Sequence, residues 1–452
     1  MKYNKPSEDF AGMNMGDKRL DKRLEKTVES MTEDTKSSIL SSCGTKHDAK
    51  AFYTLLSNEK FSTEQIKEKG QKSTVERIMS SGVREVLLPA DWTDINLDGH
   101  EKTEGLGYSS NHTRGVKVHS CLALTPEGTN LGVLTQAYET RESAKKEGSK
   151  GKKARRPIEE KESYQWLETS REALEMLPGN VKGIILCDRE GDFYEHYAEM
   201  LTLNASFVVR VIHDRNTVDG DYSVQQLRRT KACGEVEVAI PRDTRNNVSA
   251  RTVKMEVAYC TVAIARPTRT SKKIADSLTL NLVRITEIGN TVNPIEWFLA
   301  TNLPIENAED AMKIVGYYVH RWKIERFHYI LKSGCQVEKI QQRTYERIIP
   351  VLFIYSVIAA FILAMTYFAR SFPDAPCDVF LDDDEWKILY RLITRKPSPP
   401  DKPYSLKTAV DYLGELGSFK HSPSNGGYGV KAIWQGLAKL FIALDVLDRL
   451  SG

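Results

Sequence analysis

Cysteine is sparse here: seven in 452 residues, at positions 43, 121, 187, 233, 260, 335 and 377. No two of them are spaced C-x2-C, which leaves neither a zinc module nor a disulfide framework to expect, and a reducing compartment fits best. Charge of one sign is also missing. Lysine and arginine number 64 against 61 acids, for a net charge of +3, so composition does not announce a nucleic-acid binder, although local basic clusters remain possible. The longest apolar stretch, Val351–Phe361, is broken by Tyr355 and Ser356 and reads as too short and mixed to span a bilayer. The first ten residues, MKYNKPSEDF, lack the apolar centre of a signal peptide. The expectation is a cytoplasmic protein with no membrane partner. Forty per cent hydrophobic residues over this length allow several domains around a well-buried core.

What is present changes texture along the chain. Residues 1–80 read as helices. Asp17-Lys-Arg-Leu-Asp-Lys-Arg-Leu repeats leucine at i, i+4, with Lys18, Arg19, Lys22 and Arg23 beside the leucines. That pattern fits a DNA-facing helix and equally a solvated face. From Val86 strands alternate with helices: Val86–Leu88 runs up to Asp91, Val116–Thr125 and Leu131–Tyr138 follow, and Val181–Cys187 ends at Asp188. Strands with helical crossovers imply a mixed α/β sheet covered by helices. Between about 217 and 290 three segments alternate at period two, with Asn246, Asn247 and Asn290 as turn residues, which reads as an inserted β-subdomain. A basic run, from Lys145 through Lys152, Lys153, Arg155 and Arg156, is too polar to pack; it can neutralise phosphates or simply keep a loop in water. The expected division is 1–80 helical, 81–370 catalytic with the insertion, and 371–452 helical. In the last part Leu437, Leu440, Phe441, Leu444 and Leu447 form an apolar stripe, fit for docking on the main domain or for self-association.

The segment Gly316–Lys332 has no proline and no glycine after its first residue, which predicts one continuous helix. Tyr318, Arg321, Glu325 and Lys332 would then share one face at ~100° per residue. A phenol, two cations and a carboxylate on one face suit the handling of phosphates. Asp91 and Asp188, each following an apolar run, are the partners such a carboxylate needs, because phosphoryl transfer with two divalent ions requires hard, negatively charged oxygen ligands. A single aspartate after a strand is also an ordinary turn residue. Asp188-Arg-Glu-Gly-Asp is less ordinary, with three acids and one base at a strand end. Arg210 stands in an apolar strand, placed for a phosphate or an acidic partner.

Tyr318-x2-Arg321-x3-Glu325-x6-Lys332 resembles the Y-R-E-K signature of bacterial insertion-sequence DDE transposases of the cut-and-paste, IS-four-type family. Cys187-Asp-Arg-Glu-Gly-Asp is similar to that family's motif at the second aspartate. Asp91-Trp-Thr-Asp-Ile resembles its first, although Trp92 departs from the usual Asp-Thr-Thr. Gly16-Asp-Lys-Arg-Leu, Lys50-Ala-Phe-Tyr and the stretch around Trp434 extend the likeness to both ends. The resemblance implies an RNase H-like core with Asp91, Asp188 and Glu325 holding two Mg²⁺ or Mn²⁺ ions. It also implies Tyr318, Arg321 and Lys332 on phosphates, and a homodimer acting on the terminal inverted repeats of duplex DNA and on a target duplex. Trp297 would be either the family's stacking residue for an extruded base or plain core, and Trp322 either a packing or a DNA-contacting residue. A structure-specific nuclease would share the three carboxylates but needs no end-sequence reader; a non-catalytic DNA-binding regulator descended from a transposase would commonly have lost part of the N-terminal domain or a carboxylate, and both are present here.

Overall fold

The computed structural model describes residues 2–35, 42–43, 45–110, 112–142, 156–240, 251–289, 294–417 and 427–451. Lys152, Lys153 and Arg155, and the turns at Asn246, Asn247 and Asn290, lie outside the described residues. The chain packs as two units: residues 1–82, 92–146 and 325–452, and residues 83–91 and 147–324.

The first unit opens with helices α1 (Lys18–Glu33), α2 (Lys46–Leu55) and α3 (Thr63–Ser81). Each starts on an oxygen-bearing cap: Asp17, Thr45 and Ser62 accept hydrogen bonds from the backbone N–H groups of Arg19, Asp48 and Gln65, donors that no helical carbonyl can reach. Gly82, at φ 71°, ends α3 in the left-handed region, where a side chain would clash. A buried ion pair, Arg77 Nη1 to Asp9 Oδ1 at 2.5 Å, fastens the N-terminal segment to α3. Strands β2 (Gly115–Leu124) and β3 (Asn130–Glu139) are antiparallel, and helix α9 (Tyr345–Ser371) packs on β3 and α3. Asn130 Nδ2 donates to the Ala360 carbonyl at 2.9 Å. The apolar stretch Val351–Phe361 lies inside α9, whose 27 residues form one helix of mean hydropathy 2.7 in its most apolar window, long enough to cross a bilayer, and that window is wholly buried inside the protein. Pro350 lies in the second turn of α9, where proline has no N–H to give the carbonyl four residues back, yet the helix continues through it. Helices α10 (Asp383–Thr394), α11 (Leu406–Leu416) and α12 (Val430–Ser451) complete the unit. The apolar stripe of α12 divides: Leu437, Leu440 and Phe441 are buried, Leu444 is half-buried and Leu447 is exposed.

The second unit is a sheet in the order β1-β4-β5-β9-β8-β7-β6. β1 (Glu85–Asn96), β4 (Lys182–Cys187) and β5 (Ser206–Arg210) run parallel. β9 (Glu296–Thr301) then lies antiparallel on β5, followed by β8 (Ser277–Glu287), β7 (Arg251–Ala265) and β6 (Gly234–Ile240). The β-rich insertion therefore extends the main sheet and contains a short helix, α6 (Ser223–Arg229), which alternation in the flanking strands does not reveal. Helices α4 (Tyr164–Glu175) and α5 (Tyr194–Thr202) pack on each other, and α7 (Ala308–Val319) packs on strands β5 to β8. The parallel strands β1, β4 and β5, continued by antiparallel strands and flanked by helices, are consistent with an RNase H-like core.

Candidate active site

The β1–β4 ladder pairs Glu85 with Lys182 and continues to Pro89 with Leu186. The ladder ends there: Asp91 stands two residues beyond its last pair on β1, and Asp188 stands two residues beyond it on the other side, just past the end of β4. Asp91 is not a strand-end residue, as expected from the sequence, because β1 continues through it to Asn96. Trp92 points to the opposite face from Asp91 by strand alternation; its ring lies 4.5 Å from that of buried His119 and 4.4 Å from the Lys117 ammonium. The departure from Asp-Thr-Thr is thus absorbed away from the Asp91 side. Asp188 caps a single 3-10 turn, Arg189–Gly191, and its Oδ1 accepts the Glu190 N–H at 2.8 Å.

Around this pair stands a group of aromatic and cationic side chains. Arg321, only 5% exposed, brings Nη1 to 3.3 Å from Asp91 Oδ2. Its guanidinium carbon lies 5.9 Å from the Tyr318 ring. Burial raises the Tyr318 phenol above its usual range, the Arg321 and Arg210 charges oppose that, and the Asp188 charge adds to it. Arg210 is lowered mainly by burial, with Tyr318 countering and the nearby Arg189 and Arg321 charges assisting. Trp297 is 5% exposed, edge-on at 5.7 Å to both Tyr318 and Trp322, with Arg210 5.7 Å from its ring. Two carboxylates, two guanidiniums, one phenol and two indoles thus come from β1, the turn after β4, β5, β9, α7, the turn after it and the first residue of the helix that follows. Fixed guanidiniums beside carboxylates are suited to gripping a phosphodiester without leaving the acids uncompensated.

The expected continuous helix from Gly316 to Lys332 is three pieces. α7 stops at Val319, His320 and Arg321 form a turn, α8 spans Trp322–Tyr329, and Ile330–Gly334 is a π turn. Arg321 N–H bonds to Tyr318 O and Ile324 N–H to Arg321 O, three residues back instead of four. This tightening breaks the shared face that regular 3.6-residue spacing would give. Glu325 and Lys332 belong to the first unit, where Lys332 Nζ stands 3.9 Å from Glu338 Oε1. On α1, Lys18, Arg19 and Lys22 are exposed and Arg23 is half-buried. Arg19 is held by its own cap, Asp17, at 3.1 Å. Arg156 is half-buried.

Residues 6–61 match a family described as "Transposase DNA-binding". This stretch, with α1 and α2, is similar to a transposase-associated DNA-binding domain. Among solved structures the chain is similar to a piggyBac transposase, in a synaptic complex with hairpin DNA, at 10% identity and a TM-score of 0.32. That likeness covers 64% of this chain and 48% of the other, less than half the length of the protein it matches.

The same domain borders a groove that sequence reading missed. Lys46, Lys50, Tyr53, Thr54 and Ser57 of α2 form one wall, Gly99–Thr103 another, and Gln341–Arg343 with Arg347 the third, around about 1090 Å³. Five cations, Lys46, Lys50, Lys102, Arg343 and Arg347, face one acid, Glu101. The loops are tied together: Glu104 N–H bonds to Arg343 O at 2.8 Å and Thr103 Oγ1 to Gln342 O at 2.8 Å. The sequence signal was Lys46-x3-Lys50 with Tyr53 one turn on, a basic and aromatic helix edge; the other cations come from loop residues Lys102 and Arg343 and from Arg347 at the start of α9, far away in sequence.

No three His, Cys, Asp or Glu side chains form a metal-binding cluster among the described residues. Asp91 and Asp188 nevertheless fit a hard divalent cation by the chemistry of their donors, since carboxylate oxygens are the ligands Mg²⁺ and Mn²⁺ prefer.

Proposed function

We propose that this protein is a DDE transposase of the IS-four-type, cut-and-paste kind, a DNA nuclease and strand transferase. The observation that carries the reading is Arg321 on the Asp91 carboxylate at 3.3 Å with Tyr318 beside it and within reach of the Asp188 charge, the first half of the Y-R-E-K signature gathered on two aspartates that follow neighbouring parallel strands. When bound, two Mg²⁺ or Mn²⁺ ions held by Asp91, Asp188 and Glu325 would supply Lewis-acid activation of the attacking and departing oxygens. Arg321 and Tyr318, with Lys332 and Arg210, grip phosphate oxygens, the guanidiniums through paired N–H groups and the lysine as a point charge. Each chemical step forms one P–O bond and breaks another. Water opens the first strand, the freed 3′-hydroxyl attacks the opposite strand to close a hairpin, water reopens it, and the 3′ ends join to target DNA. Trp297 stacks the base extruded at the hairpin once its edge contacts open, an interaction worth roughly 1–3 kcal/mol.

The division of labour follows the chain. Residues 1–80 read the terminal inverted repeats, using α1 cations such as Lys18, Lys22 and Arg23 together with the basic groove; residues 81–370 carry the chemistry; residues 371–452 support a homodimer. Lys152, Lys153, Arg155 and Arg156 add phosphate contacts. The setting is a bacterial cytoplasm, at the nucleoid. The test is strand cleavage and joining with purified protein, Mg²⁺ and duplexes bearing the terminal sequences that flank the gene, beside Glu325→Ala. Nicked, hairpin and joined products that vanish in the variant are expected. Cleavage of branched DNA without end-dependent joining would make the protein a structure-specific nuclease, and end binding without product in either metal would make it a regulator.

A further inference from the structure

Of the three acids in Asp188-Arg-Glu-Gly-Asp, the structure gives three different situations. Asp188 is half-buried beside Asp91, Glu190 is exposed, and Asp192 is only 3% exposed. The Asp192 carboxylate is saturated. Its Oδ1 accepts from the Tyr197 hydroxyl at 2.6 Å and faces Arg215 Nη1 at 2.5 Å. Its Oδ2 accepts the backbone N–H groups of Ile212 at 2.6 Å and His213 at 2.9 Å, and Arg215 Nη2 returns a bond of 2.8 Å to the Asp192 carbonyl. Tyr197 lies under the Arg215 guanidinium at 5.4 Å. A buried charge compensated this fully is fixed, because every alternative placement strands a charge or a donor in a low dielectric.

The groups it binds matter. Ile212 and His213 follow directly on Arg210 at the end of β5, while Asp192 closes the turn that begins at Asp188. The hub therefore locks the turn carrying one carboxylate of the candidate site to the strand end carrying one of its guanidiniums. We propose that Asp192 is a positioning residue for Asp188 and Arg210. It touches no reacting atom; it fixes the turn that carries Asp188 against the strand end that carries Arg210. The proposal rests on the transposase reading for what Asp188 does, and on geometry alone for what Asp192 holds.

Asp192→Asn keeps the shape, removes the charge opposite Arg215 and turns an amide N–H₂ toward donors. Outer contacts of this kind change metal affinity by about 10–100-fold. Three readouts are compared with wild type: Mn²⁺ binding by calorimetry on the full chain, the Mg²⁺ concentration for half-maximal nicking, and hydrogen exchange of residues 188–193. The expected result is weaker Mn²⁺ binding, a raised Mg²⁺ requirement and faster exchange, with metal-free binding to end DNA unchanged. Tyr197→Phe, which deletes one bond, serves if the first variant does not fold, with a smaller shift in the same direction. Wild-type metal dependence in the folded variants overturns the proposal. Faster exchange in the variant, with no Mn²⁺ binding or nicking by wild type, instead sinks the transposase reading and leaves Asp192 a structural anchor only.

Discussion

The turn after β4 and the stretch from Tyr318 to Lys332 both carry signature residues, yet their motifs map onto structure very differently. The turn is determined locally. Asp188 caps its own 3-10 turn, Gly191 is required because a Cβ there would lie 2.5 Å from Cys187 Cβ, and His196 Nδ1 donates to the Gly191 carbonyl at 2.9 Å. The Tyr318 stretch is determined by its surroundings. Its residues are good helix formers, but the helix breaks at His320–Arg321 where Arg321 turns to Asp91 and Trp297 packs edge-on between Tyr318 and Trp322. Local rules suffice for a cap; they do not foresee a helix that yields to packing.

The comparison breaks most directly at Asp188. Asp188→Asn leaves the cap possible, since asparagine also accepts from the Glu190 N–H, but removes a hard charged ligand. Losing several kcal/mol of charge stabilisation corresponds to about 10³-fold or more in rate. Single-turnover nicking should fall that far while the thermal midpoint stays within a few degrees; a variant that cuts within tenfold of wild type would strip Asp188 of its part in the chemistry.

The turn also carries a pH signature. His196 is wholly buried, and burial depresses its pKa to about 4, against the weaker opposing effects of the Gly191 carbonyl, Glu199 and Asp192. Folded, the ring stays neutral below pH 6.5; unfolded, it takes up a proton there. The stabilisation is therefore complete above pH 6.5 and is lost as pH falls toward 4, by about 3 kcal/mol over that window. Urea unfolding at pH 7.5 and 4.5 measures it, and His196→Gln should flatten this part of the profile.

Most of the sheet was legible in the sequence, because apolar runs of five to seven residues next to turn residues read clearly as strands. The placement of Asp91 was not: nothing local distinguishes a strand that stops at Pro89 from one that continues to Asn96. Helix α6 hid among alternating strands for the same reason, being only seven residues long. Of the candidate site, Asp91, Asp188, Tyr318, Arg321 and Arg210 were named by type and position, and the structure brings them together. The Asp192 hub was invisible because its partners, Ile212, His213 and Arg215, lie about twenty residues on and two of them contribute only backbone. The basic groove escaped for a similar reason, as its cations come from three distant segments.

Gly191 gives a milder test of local determination. Gly191→Ala drives a methyl against Cys187 Cβ, a backbone-anchored atom with nowhere to rotate. Overpacking of this sort costs about 1–3 kcal/mol, and the expected loss in urea stability should come with a raised metal requirement, since the displaced turn carries Asp188. Loss of stability with unchanged metal dependence would mean that the turn absorbs the methyl without moving its carboxylate.

The smallest effect belongs to the region where neither local rules nor motif had a say. If the groove beside α2 follows a DNA backbone, each of its cations neutralises about one phosphate, and sequence is read elsewhere. Lys50→Ala should then weaken binding to end duplexes and to unrelated duplexes by nearly the same factor, and lower the slope of log affinity against log salt by about 1. Lys102→Ala, from a different wall, should repeat that change, and the pair should lower the slope by about 2 because the two charges meet separate phosphates. A loss confined to end duplexes would turn the groove from a backbone track into a reader of sequence. An unchanged slope in both variants would leave these lysines to solvent and return the binding surface to the exposed cations of α1.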